Sequence, residues 1–70
     1  MNAIYLNRVK ILKLRKAKGL KGPQIAEHLN YQSTDDYYAR ECGAVPISDV
    51  DLAVLAKLLG VPVGELTVNQ

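Results

Sequence analysis

The stretch KGPQIAEHLNYQSTDDYYARECG, residues 21–43, decides how this chain folds. Pro23 suits the first turn of a helix, where a missing N–H costs nothing. PQIAEHL then turns Ile25, Ala26 and Leu29 to one side, and Asn30 can end the helix because it tolerates the left-handed conformation. Another helix begins near Ser33 or Thr34, either of which can cap it. The expectation is two short helices joined by a tight turn. The second helix carries Asp35 and Asp36 in its first turn, where carboxylates interact well with the helix dipole.

Upstream, AIYLNRVKILKLRKAK (3–18) is rich in helix formers, and Gly19 supplies a stop. Ile4, Ile11 and Leu14 fall on one face at helical spacing. Tyr5, Val9 and Leu12 fall on another, which needs cover from the C-terminal tail or a second subunit. Downstream, SDVDLAVLAKLLG (48–60) reads as a central helix capped by Ser48 and stopped by Gly60. Val50, Leu52, Leu55, Ala56 and Leu59 form its broad apolar surface. Pro62 to Leu66 reads as a short fifth helix. No hairpin signal or alternating strand appears, so the chain is expected to be all-α.

Size and charge narrow the choices. Seventy residues make one domain with a small core. That core is aliphatic, since Trp and Phe are absent. The single cysteine, Cys42, excludes an internal disulfide and a cysteine-rich metal site, and fits a reducing cytoplasm. No stretch reaches the roughly 18 to 20 apolar residues of a membrane span. Charges interrupt the N-terminal apolar residues, so a signal peptide is not expected. The net charge of +2 hides an asymmetry, because seven of the nine Lys/Arg lie between Arg8 and Lys21 and no acidic residue precedes Glu27. A basic N-terminal third can bind phosphate or simply be a solvated helix face.

Motifs for other chemistry are lacking. His28 has no companion at metal-ligand spacing, Cys42 has no nearby base, and GLKG (19–22) reads as a helix connection rather than a nucleotide loop. No catalytic residue, metal or cofactor is expected, and an enzyme is not expected.

Four stretches together resemble the Cro/CI (XRE) family of helix-turn-helix repressors, over about residues 8–66. ILKLRKAKGL (11–20) resembles the family's first helix and QIAEHLN (24–30) its second. ECG with Ile47 (41–47) resembles the loop after the reading helix. LAVLAKLLGVPVGEL (52–66) resembles the family's ending. The resemblance implies a single domain over residues 1–70, with a five-helix lambda-repressor-like fold. It also implies sequence-specific binding of double-stranded DNA by a small transcriptional regulator, a repressor, with the third helix in the major groove. One unit covers a half-site, so a homodimer is implied, and no small-molecule effector is expected.

The residues implied to touch DNA are Lys21, Gln24, Gln32, Ser33, Thr34, Asp36, Tyr38 and Arg40. Lys21, Arg40 and the start of the second helix would hold phosphate, with Lys18 a further candidate. Gln32, Ser33, Thr34, Asp36 and Tyr38 would reach bases. Arg40 could instead pair with Glu41 or Asp36. Arg15 is better placed to tie the first helix to a carboxylate such as Glu41. Lys21 and Gly22 stand where the family has Ser/Thr-Gln, and one residue more than usual separates Leu29 from Glu41. An aspartate can accept from cytosine N4, but two of them repel phosphate. The alternative is therefore a protein-interaction module on the same fold, of antirepressor or antitoxin type, that does not read DNA.

Overall fold

A computed structural model describes residues 3–68. Four α-helices follow in order: α1 (Arg8–Lys18), α2 (Gly22–His28), α3 (Thr34–Glu41) and α4 (Asp49–Leu59). A single 3₁₀ turn, Val63–Glu65, comes last. Among the described residues the fold is all-α, with four α-helices rather than five, which corrects the expected five-helix lambda-repressor-like fold. The fifth segment is cut short by its own residues and by a distant extended segment. Pro62 is extended, Gly64 favours no helix, and by Thr67 the backbone has entered an antiparallel bridge with Leu6. Too few residues remain for a second turn.

The first helix also starts later than expected. Residues 4–7 are extended and lie between two other segments. The Ile47 N–H donates to Ile4 O (2.9 Å), the Val68 N–H to Tyr5 O (3.0 Å), and the Asn7 N–H to Leu66 O (2.7 Å). Asn7 then caps α1, its side-chain oxygen accepting from the Lys10 N–H at 3.2 Å. Tyr5 therefore does not share a helical stripe with Val9 and Leu12.

Other boundaries follow the sequence signals. Gly19 and Gly60 end α1 and α4 in the left-handed region, with φ of 69° and 71°. Asn30 has φ 60°, as its role at the end of α2 requires. Ser33 and Ser48 cap α3 and α4 through their hydroxyls. Pro23 sits in the first turn of α2, although Gly22 is the first helical residue.

The core joins Leu6, Ile11, Ile25, Tyr37, Leu55, Leu59 and Leu66 from every part of the chain. Ile4 and Leu14 are partly buried against it. Val50 is a correction, since it is 73% exposed and points away from the apolar side of α4. No helix among the described residues is long and apolar enough to cross a membrane.

Candidate nucleic-acid interface

α2 and α3 pack directly on one another across the connection of residues 29–33. What fixes α3 is a buried polar link to α1. The Arg15 Nε donates to Glu41 Oε1 at 2.7 Å, and its Nη2 donates to Oε2 at 3.3 Å. The Tyr37 hydroxyl donates to the same Oε1 at 3.0 Å. Glu41 is buried, and this fork gives its charge the partners that burial demands. Arg15 therefore ties α1 to Glu41, as its sequence position suggested. Tyr37 is fully buried, and burial together with the Glu41 charge raises its phenol pKa well above the ordinary value.

A second link holds the turn. The Tyr31 hydroxyl donates to Asp51 Oδ2 of α4 at 2.8 Å. Burial, then the hydrogen bond to Asp51, pushes the Tyr31 pKa up to about 12. With both links made, α3 is fixed against α1, and the turn before it against α4.

The expected contact residues divide into three places. Lys21 and Gln24 are exposed at the start of α2, where the Lys21 N–H donates to Gln24 Oε1 at 2.8 Å. That bond turns the Gln24 oxygen inward and leaves its amide N–H groups as the outward donors. Gln32, Ser33 and Asp36 are exposed around the start of α3, and Thr34 is half-buried. The Ser33 hydroxyl is occupied as a cap, accepting from the Asp36 N–H at 3.3 Å.

Tyr38 bridges the first two groups. A Cβ placed on Gly22 would overlap the Tyr38 hydroxyl and Cζ, so the ring lies directly across the first turn of α2. It remains 39% exposed. From the sequence Gly22 stands out only as a departure from the family's pattern, not as a packing site. Nothing local marks it, because the reason for a glycine there is sixteen residues away on another helix.

Arg40 is not with this group. Its Nη1 donates to the Asp36 carbonyl at 2.7 Å, and its guanidinium lies over the Tyr31 ring, 4.6 Å from the centroid. Neither expected carboxylate partner is used: Glu41 is held by Arg15, and from Asp36 Arg40 takes the carbonyl. Tyr38 and Arg40 are two positions apart on a helix and so face opposite sides. The platform role of Tyr31 was also missed; its tyrosine ring four residues before a helical aspartate carried no distinctive signal.

Asp35 and Asp36 are both exposed, and neither side chain has a hydrogen-bond or ion-pair partner among the described residues. Together with Tyr38 they make up most of the surface that α3 presents. The cations of α1 lie elsewhere. Lys10 and Lys13 line a shallow hollow with Glu65, and the Lys18 ammonium sits beside Gly60. Arg8 and Lys16 are exposed on the outer side of α1.

Other chemistry is thinly represented. Cys42 is exposed, its Sγ donating to Ala39 O at 3.5 Å, and His28 lies in another helix. Among the described residues no group of three or more His, Cys, Asp or Glu can hold a metal ion. Comparisons with protein-family models, curated proteins and solved structures found no match to this chain.

Proposed function

We propose that this protein binds double-stranded DNA, with α3 in the major groove, as a small transcriptional regulator acting by repression. The observation that carries the reading is the α2–α3 pair itself. α2 packs on α3 through a short turn, α3 is locked by Arg15, Glu41 and Tyr37, and its start stays exposed with Gln32, Ser33 and Thr34 at the open end. The resemblance of the sequence to the Cro/CI family supports the same reading. Lys21, the outward amide of Gln24 and the Tyr38 hydroxyl form a polar edge suited to phosphate. Arg40 contributes less than expected, because it is folded onto its own helix and Tyr31. A single unit covers one half-site, so the active species in this reading is a homodimer. An apolar hollow of about 760 Å³ between Tyr5, Leu52, Val63 and Val68 offers a surface for it.

A second reading has its own observation. The unpartnered carboxylates of Asp35 and Asp36 sit where phosphate would approach, and Lys10, Lys13 and Lys18 lie toward the 3₁₀ turn and the end of α4. This favours a protein-interaction module on the same helix pair.

Fluorescence anisotropy with a mixed-sequence duplex, titrated from low to physiological salt, separates the two. DNA binding predicts affinity that falls steeply with salt, by ~0.9 in log–log slope per phosphate neutralised. Selection of bound sequences then gives the half-site spacing. No binding at the lowest salt overturns the DNA reading in favour of the interaction module.

A further inference from the structure

Among the described residues the outer side of α1 has no partner. Val9 is 65% exposed there, one turn from the half-buried Leu12. Arg8 and Lys16 border them, and Lys13 flanks them on the side of the Glu65 hollow. Among the described residues the one ion pair is Arg15–Glu41, so these cations are unneutralised. An apolar centre with a charged rim is the anatomy of a protein contact, whereas phosphate binding has no use for an exposed valine.

The exposed side of α3 has the opposite character. Asp35 and Asp36 lie on either side of the half-exposed Ala39, and the Tyr38 ring borders the Asp35 side. The two surfaces match in charge and in apolar content. They belong to different helices of one rigid molecule, in which Arg15 on another side of α1 already holds α3. They can meet only between molecules.

We infer that the outer face of α1 docks onto the exposed face of α3 in a second copy of this chain. Arg8 and Lys16 oppose Asp35 and Asp36, and Val9 and Leu12 lie against Tyr38 and Ala39. The contact joins unlike surfaces, so it is head-to-tail and adds copies without closing on itself. It is held mainly by exposed charges and weakens with salt. If α3 reads DNA, which is the reading proposed above, the docked copy covers the reading face, and self-association competes with DNA.

The association is tested without DNA. One variant, Arg8→Glu/Lys16→Glu, has a reversed α1 face and an intact α3 face. The other, Asp35→Asn/Asp36→Asn, has a neutralised α3 face and an intact α1 face. Circular dichroism melts establish that both fold; the four positions are exposed, and a glutamate at the start of α1 suits its dipole. The first variant is ¹⁵N-labelled and titrated at low salt with the unlabelled second variant.

The expected result is perturbation of the α3 amides from Asp35 to Cys42. It should be lost on titration with the unlabelled first variant, and weaken about tenfold or more on raising salt to ~0.3 M. No change at α3 overturns the proposal. So does an equal change with either unlabelled variant, because that reports a contact that does not use the α1 face. A protein that shows this association and binds no duplex keeps the inference and loses the DNA reading.

Discussion

Gly22 and Tyr38 show how much a single missing atom can hold. Lys21 precedes the glycine, Pro23 follows it, and the ring that covers it comes from α3. A methyl at position 22 overlaps the far end of the Tyr38 ring, which must leave its place over the start of α2. Gly22→Ala alone is therefore expected to destabilise the fold by about 1–3 kcal/mol, the usual range for overpacking. In a Tyr38→Ala background the overlap is gone. The same substitution then removes a helical glycine and should stabilise by a few tenths of a kcal/mol to about 1 kcal/mol. A change of sign between backgrounds in urea denaturation is the expected outcome. Equal effects in both would mean that Tyr38 does not occupy the space above Gly22. A sequence reader can place Gly22 in a turn but cannot see the ring that needs it. Of the eight expected contact residues, seven lie on the two exposed edges of the helix pair, while Arg40 turns away because Tyr31 supplies a better neighbour than solvent.

Helix ends were legible wherever a cap acts within one turn. Ser33, Ser48, Gly19 and Gly60 all stand where the sequence puts them, because each works through backbone groups a few residues away. The two errors share a different cause. Residues 3–7 contain good helix formers, and 62–66 look like a short helix, yet pairing with distant segments draws out 4–7 and stops the later segment after one 3₁₀ turn. The bridges Ile4–Ile47 and Leu6–Thr67 join residues more than forty positions apart, beyond any local pattern. Asn7 is the pivot, since its N–H completes the extended pairing while its side chain opens α1. Asn7→Ala keeps the backbone bond and removes the cap, so a loss of about 1 kcal/mol is expected. In a domain this small that lowers the melting temperature by about 4–8 °C. Asn7→Asp should match or exceed the natural protein, because α1 has no acidic residue in its first turn. An Asn7→Ala variant that melts with the natural protein would show that α1 does not depend on this cap.

At the scale of the molecule, two tyrosines connect what the helices leave separate. Tyr37 braces Glu41, on its own helix, for the Arg15 fork that couples α3 to α1, and Tyr31 reaches Asp51 and couples the turn to α4. Both hydroxyls donate to carboxylates, so both bonds require a protonated phenol. Both pKa values are raised in the folded chain from the ordinary value of 10.0, Tyr31 to about 12 and Tyr37 further. Below pH 10 the phenols keep their protons whether the chain is folded or not, and the full stabilisation is present. As pH rises past 10, the unfolded chain releases these protons while the folded chain retains them, so stability falls and goes on falling toward the folded-state values. Urea midpoints measured from about pH 8 to about pH 11 should therefore decline above about pH 10. Tyr31→Phe/Tyr37→Phe loses both hydrogen bonds and starts from a lower midpoint. Its decline over that range should be shallower, because two of the protons responsible are gone. Parallel declines in the two proteins would mean that these phenols do not set the alkaline limit.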